Sequence, residues 1–145
     1  MTAPLPRTAH PPRFAVAITC IDGRIHHAVQ DGLRRRLEVH FLDVVTLPGP
    51  DLVLAETPHE APSVWDAVQV SLDKHAAERV VLVGHTDCAA NPVSPATHRA
   101  QIGQAVATLR ARLGATAVEG MLLDTDTGSL DPVLVPDQRE AARLS

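Results

Sequence analysis

The chain has very few aromatic residues: two phenylalanines, one tryptophan and no tyrosine among 145 residues. Valine, leucine, isoleucine and alanine must therefore build the core, and a tyrosine can serve neither as a catalytic acid nor as a stacking platform. The sequence also lacks a run of about 20 apolar residues that could span a bilayer. It has no basic run longer than the three arginines at 34–36 and a formal net charge of -4, which argues against nucleic acid and membrane surfaces as partners.

Cysteine is equally scarce, since Cys20 and Cys88 are the two in the sequence. The amino-terminal residues lack the apolar centre of a secretory signal, so we expect a cytoplasmic protein. In such a protein, metal binding or thiol chemistry is more usual for two cysteines than a disulfide. Both cysteines therefore become candidate functional residues.

The length and patterning predict one domain with a proline-rich extension before it. Residues 1–13 are interpreted as a flexible arm, residues 14–135 as the domain and residues 136–145 as a charged tail. Inside the domain, apolar runs of strand length alternate with segments of helical periodicity. This alternation predicts a three-layer α/β fold, with a mainly parallel four-stranded sheet plus a C-terminal antiparallel strand.

The boundaries between elements follow from turn and capping residues. Residues 51–62 are interpreted as a loop or short turn, and Ser63 as the N-cap of the next helix. His59, His75 and His98 have no partners at metal-ligand spacing and are interpreted as surface residues. The predicted strands are 14–19, 40–47, 79–84, 117–123 and 130–135, and the predicted helices are 25–37, 63–75 and 97–113.

Residues that bind metals follow two of the predicted strands. Cys20 comes after the first strand, and His85 and Cys88 come after the third, three positions apart. Carboxyl ends of parallel strands meet at one edge of a sheet, so neighbouring strands would let these side chains share one ion. Structural zinc has four protein ligands, whereas an open fourth position is typical of catalytic zinc. The sequence therefore predicts a catalytic Zn²⁺ centre.

Two charged residues lie close to Cys20 in the sequence. Asp22 could accept a hydrogen bond from a metal-bound water, or it could bind the metal itself and block the site. A bidentate pair with Arg24 would hold Asp22 away from the metal. A purely structural ion pair is the alternative interpretation. Asp87, between His85 and Cys88, is expected to cap the following turn.

The motif Cys-x-Asp-x-Arg at residues 20–24, with Gly-His-x-x-Cys at residues 84–88, resembles the two-part motif of the β-class carbonic anhydrases. Residues 120–128 resemble the closing strand and hairpin of that family, so the likeness of this small, divergent chain covers roughly residues 14–135.

The resemblance implies Cys20, His85 and Cys88 as zinc ligands, with Asp22 and Arg24 as a gating pair. It implies reversible hydration of CO2 to bicarbonate by zinc-bound hydroxide, in a homodimer or larger homo-oligomer.

Two alternatives depend on the segment Leu47-Pro48-Gly49-Pro50-Asp51, which stands where the family usually has Asn-Ala-Gly-Asn. A different pocket segment could change selectivity, and relatives of the family hydrolyse other linear substrates such as carbonyl sulfide or carbon disulfide. A non-catalytic zinc-binding scaffold protein is the alternative from another functional class.

Overall fold

The computed structural model describes residues 11–136. Residues 1–10 of the predicted arm and residues 137–145 of the predicted tail lie outside the described residues. A short 3₁₀ turn, Pro58–Glu60, separates the second and third helices. In chain order the strands and α-helices are β1 (Phe14–Thr19), α1 (His26–Leu37), β2 (Phe41–Thr46), α2 (Pro50–Glu56), α3 (Pro62–Lys74), β3 (Arg79–His85), α4 (Pro95–Leu113), β4 (Ala117–Leu123) and β5 (Leu130–Val133).

The strands form one sheet in the order β2-β1-β3-β4-β5. Pairing is parallel between β1 and β2, between β1 and β3, and between β3 and β4, whereas β5 runs antiparallel to β4. This confirms the predicted α/β fold with four parallel strands and one antiparallel strand. After β1 the chain adds β2 on one side of it and later adds β3 on the other side. The direction in which strands are added therefore reverses at β1. Ligand sites of open α/β sheets lie beyond the carboxyl ends of strands at such a point.

Helices cover both faces of the sheet and make it the middle of three layers. On one face α1 packs its buried stripe, Val29, Leu33 and Leu37, against alternate strand residues. On the other face α2, α3 and α4 pack against the remaining strand residues. Each fully buried valine, leucine or isoleucine stabilises the fold by roughly 1.5–3 kcal/mol. Among the described helices, none has the length and apolar character needed to cross a membrane.

Prolines begin three of the helices, and this corrects three of the predicted boundaries. Residues 51–62 are not only a loop, because α2 begins at Pro50 after Gly49, whose φ is 55°. Ser63 is not the N-cap of α3, which begins at Pro62. α4 begins at Pro95 rather than at residue 97, and the Ser94 side chain accepts a hydrogen bond from the Thr97 N–H. Proline fits the first helical position because its φ is already helical and the N–H that it lacks would have no partner there.

Candidate metal centre

The predicted ligands Cys20, His85 and Cys88 lie together at the carboxyl edge of the sheet. β1 and β3 are hydrogen-bonded neighbours, with Ile18 opposite Leu82, so the residues that follow them are adjacent. One ligand atom from each of the three side chains lies within 4.8 Å of the others, and all three residues are buried. The predicted convergence of these residues is therefore present in the structure.

The spacing of the two sulfur atoms suits a shared metal ion. Cys20 Sγ lies 4.0 Å from Cys88 Sγ, which is far beyond the S–S bond length of about 2.05 Å in a disulfide. Two thiolates bound at about 2.3 Å to a tetrahedral zinc ion would lie about 3.8 Å apart. Burial raises the pKa of the Cys88 thiol, and the neighbouring Cys20 raises it further. A divalent cation would reverse both effects, because a coordinating thiol is deprotonated.

Hydrogen bonds fix the orientation of the His85 ring. Its Nδ1 lies 2.7 Å from the Thr86 carbonyl oxygen, which can only accept, so Nδ1 carries the proton. Thr125 Oγ1, 3.1 Å from the same nitrogen, donates to the Thr86 carbonyl. His85 Nε2 is therefore left with its lone pair, and it is buried without a hydrogen-bond partner among the described residues. Leaving such an atom unpaired costs about 1–3 kcal/mol, and a metal ion would satisfy it.

Asp22 and Arg24 form a multiply bonded pair beside this cluster. The Arg24 side chain donates to Asp22 Oδ2 from Nη2 at 2.7 Å and to Asp22 Oδ1 from Nε at 3.1 Å. The Arg24 backbone N–H donates to Oδ1 at 2.9 Å. The side-chain bonds and then the backbone bond lower the pKa of Asp22 to about 2. Asp22 Oδ2 is also 4.0 Å from His85 Nε2, so the carboxylate lies within reach of an ion bound there.

Asp87 holds the other side of the Arg24 guanidinium. Arg24 Nη1 donates to Asp87 Oδ2 at 3.0 Å, and Nη2 donates to the Asp87 carbonyl at 3.0 Å. Hydrogen bonds to Asp22 first, and then to Asp87, raise the pKa of Arg24. The prediction that Asp87 caps the following turn is therefore wrong, because its carboxylate accepts from Arg24. Its backbone has a φ of 52°, which is uncommon for a residue other than glycine.

A buried group of polar side chains lies behind the predicted ligands, and the sequence interpretation missed it. Asp51, Asn91 and His98 are 1 %, 1 % and 0 % exposed, and Gln101 is 8 % exposed. The prediction that His98 is a surface residue is wrong, whereas His59 and His75 are exposed as predicted. One signal was available: His98 stands four positions before Ile102 and so shares the buried stripe of α4.

An α/β fold with a Cys-His-Cys cluster beyond the ends of the neighbouring strands β1 and β3 defines a protein with a candidate metal centre. Residues 10–132 match the model of the family described as "Putative carbonic anhydrase". The chain therefore belongs to the carbonic anhydrase family, and its architecture is that of the β class.

Solved β-carbonic anhydrases share this fold at low sequence identity. The structure of CafA from Aspergillus fumigatus is 16% identical, with a TM-score of 0.57, and the match covers 94% of this chain and 83% of that one. Isoform I from Trichomonas vaginalis is 17% identical, with a TM-score of 0.58 and coverage of 90% and 88%. A tetrameric enzyme from Sordaria macrospora is 11% identical, with a TM-score of 0.57 and coverage of 86% and 82%. Among curated proteins, none matches this sequence significantly.

Proposed function

We propose that this protein is a zinc-dependent carbonic anhydrase, which interconverts CO2 and water with bicarbonate and a proton. The observation that carries this proposal is the buried cluster of Cys20, His85 and Cys88, in which His85 Nε2 has no hydrogen-bond partner among the described residues. Membership of the carbonic anhydrase family supports the reaction type. Two sulfur ligands and one imidazole are a donor set that zinc prefers.

The proposed ligands are Cys20 and His85, which stand at the ends of β1 and β3, and Cys88, which lies in the turn after β3. A bound zinc ion would supply a Lewis acid that makes water nucleophilic near neutral pH. Asp22 is the proposed acceptor of a hydrogen bond from water that such an ion would bind. The carboxylate is ionised because its pKa is about 2. Arg24 is the proposed gate, since its hydrogen bonds keep the carboxylate turned toward the guanidinium.

Hydrolysis of another linear substrate, such as carbonyl sulfide or carbon disulfide, is the second candidate. The segment that differs from the usual family sequence lies against the turn after Cys88. A β-carbon on Gly49 would lie 3.3 Å from Asn91 Cβ and 3.5 Å from Ala90 Cβ. Substitutions in this segment therefore adjoin the proposed centre, where a change in pocket shape alters substrate choice. A non-catalytic zinc scaffold is the third candidate, and the assays below distinguish it from both.

The first experiment measures bound metal in protein purified without chelator. We expect about one zinc per chain, and a Cys88→Ser variant should lose most of it because one of only three protein ligands is changed. The Ser71→Ala variant is a matched control, since Ser71 is buried but bonds to Asp43 rather than to the cluster. Less than half a zinc per wild-type chain would contradict the metal centre.

The second experiment measures the reaction of the zinc-loaded protein by stopped flow. CO2 hydration at pH 7 that is lost in the Cys88→Ser variant would support the carbonic anhydrase proposal. Release of hydrogen sulfide from carbonyl sulfide or carbon disulfide, without CO2 hydration, would support the second candidate. Zinc binding without turnover of any of these substrates would support the scaffold.

We also propose that the protein is cytoplasmic and assembles as a homodimer or a larger homo-oligomer. β2 is an outer strand of the sheet, and it exposes the apolar side chains Phe41 and Val44. An outer strand with exposed apolar side chains is a ready surface for a second copy. The related Sordaria macrospora enzyme is described as tetrameric. Light scattering after size-exclusion chromatography would test assembly, and a monomer at micromolar concentration would contradict it.

A further inference from the structure

Four polar side chains are buried side by side at a place that the proposed reaction does not use. They are Asp51 from α2, Asn91 from the turn after Cys88, and His98 and Gln101 from α4. A buried carboxylate is costly unless hydrogen bonds compensate it, and removing one partner of such a group is destabilising because it leaves a buried charge unpaired. A network of this kind therefore holds the elements that contribute to it in a fixed arrangement.

The hydrogen bonds converge on the Asp51 carboxylate. Its Oδ2 lies 2.6 Å from His98 Nδ1, and its Oδ1 accepts from Asn91 Nδ2 at 3.1 Å. The Leu52 backbone N–H donates to the same Oδ1 at 3.1 Å. Asn91 Nδ2 also donates to Gln101 Oε1 at 2.7 Å. The Asn91 amide group thus joins α2 to α4.

This network contacts the backbone on both sides of the two ligands that come from β3. Before His85 stands Gly84, and a β-carbon there would lie 2.9 Å from Asp51 Oδ2. After Cys88, the backbone N–H of Asn91 donates to the Cys88 carbonyl at 3.2 Å, and the two residues form an isolated β-bridge. Asp51 therefore lies close against the chain just before His85, and Asn91 hydrogen-bonds to the chain at Cys88.

The segment from His85 to Cys88 contains a residue with a strained backbone conformation. Asp87 lies inside it with a φ of 52°, a left-handed conformation that is strained for a residue with a side chain. Such conformations persist where the surroundings fix the chain on each side. The separation of His85 Nε2 from Cys88 Sγ depends on this conformation, because both atoms belong to the same short turn.

We infer that Asp51 is a positioning residue for the metal centre, which acts through Asn91 and Gly84 to fix His85 and Cys88 at the separation that a metal ion requires. The inference rests on the proposed function, since it assigns a role relative to the metal. Asp51 is a positioning residue rather than a catalytic one, because it is not part of the Cys-His-Cys cluster and both of its carboxylate oxygens are hydrogen-bonded inside the network. Residues that orient metal ligands typically change metal affinity 10–100-fold when they are replaced.

The test compares zinc affinity by chelator competition in the wild-type chain and in the Asp51→Asn variant. We expect the variant to bind zinc about 10–100-fold more weakly. Substitution of cobalt for zinc gives a second readout, because distorted ligand geometry should weaken the visible absorption bands of tetrahedral cobalt. The Ser71→Ala variant loses a part-buried hydrogen bond between α3 and β2, and we expect its zinc affinity to equal that of the wild type.

A reversed pair separates positioning from simple loss of stability. The Asp51→Asn, Asn91→Asp double variant restores a carboxylate–amide hydrogen bond at the same place, so we expect it to recover zinc affinity relative to Asp51→Asn. Should Asp51→Asn fail to fold, Gln101→Ala provides the comparison, because it removes one acceptor of Asn91 at the less buried end of the network. It should weaken zinc binding in the same direction.

The outcomes distinguish this inference from the proposed function. Wild-type protein that binds zinc, with Asp51→Asn and Gln101→Ala variants of unchanged affinity, overturns the positioning role and leaves the proposed function standing. Wild-type protein that binds no zinc overturns the proposed function and the positioning role with it. Zinc binding that is weakened in Asp51→Asn and Gln101→Ala but not in Ser71→Ala, and that recovers in the reversed pair, supports the positioning role.

Discussion

The sharpest prediction concerns Gly84, the residue immediately before His85. A β-carbon at this position would lie 2.8 Å from Ile102 Cδ1 and 2.9 Å from Asp51 Oδ2. Ordinary contacts between carbon atoms are about 3.5–4.0 Å, so the neighbours would have to move by about 0.7 Å or more. Neither neighbour is free to move, because Ile102 is 0 % exposed and Asp51 is held in the buried network.

The magnitude of the Gly84→Ala effect follows from this crowding. Overpacking a buried site costs about 1–3 kcal/mol, and we expect about 2–3 kcal/mol here because both neighbours are confined. At about 4 °C per kcal/mol for a chain of this length, the Tm should fall by about 8–12 °C. The measurement is thermal unfolding in the presence of chelator, so that bound metal does not contribute.

The control is the same substitution at Gly103, in the middle of α4. A β-carbon on Gly103 meets nothing within 4 Å, so Gly103→Ala should stabilise the helix by about 0.5–1 kcal/mol. A second control combines Gly84→Ala with Ile102→Val, which removes the nearest atom. The two effects should then be less than additive by about 1 kcal/mol. A Gly84→Ala variant as stable as the wild type, or strict additivity, would refute the close approach of α4 to β3.

Three further predictions concern the metal centre. Replacing Arg24 by Ala should free Asp22 to approach the metal, so CO2 hydration at pH 7 should fall roughly tenfold or more. The Arg24→Lys variant should have an intermediate rate. Unchanged turnover in stopped-flow measurements would contradict the gating role of Arg24. Replacing Thr125 by Val should weaken zinc binding, by up to about tenfold, because the Thr125 hydroxyl hydrogen-bonds to the Thr86 carbonyl that accepts from His85 Nδ1. Equal affinities in chelator competition would argue against that support. Zinc affinity should rise with pH as long as the pH stays below the raised pKa of Cys88, because the thiol is protonated there and metal binding must release that proton. A dissociation constant independent of pH would contradict this sign.

The sequence predicted the sheet well because its strands are isolated apolar runs. The predicted bounds of β1 and β4 agree with the structure, and the other strands differ by one or two residues at their ends. The neighbourhood of β1 and β3 was inferred from chemistry, since Cys20 could meet His85 and Cys88 only if those strands were adjacent. The pairing of the two strands confirms that inference.

Contacts between distant residues that belong to no recognisable ligand pattern were beyond sequence reasoning. The prolines at 48 and 50 indicated the end of β2, yet Pro50 also begins α2. The local sequence does not reveal this helix, which is anchored by the burial of Leu54 in the core. His98 looked isolated because its partner Asp51 is 47 positions away. Asp87 was interpreted as a cap because its actual partner, Arg24, is 63 positions away and is not visible in the local sequence. Local patterns indicate what a residue can do, whereas these partners depend on how the sheet brings segments together.

Cys20 and Cys88 are 68 positions apart, although their sulfur atoms are neighbours. An ion held by both would close a loop that contains α1, β2, α2, α3 and β3, which is about half of the chain. By the chain-entropy estimate for a cross-link, closing a loop of this length removes about 4 kcal/mol of freedom from the unfolded chain. Bound zinc would then act as a reversible cross-link, and the lifetime of the folded protein in a cell would depend on the supply of the metal.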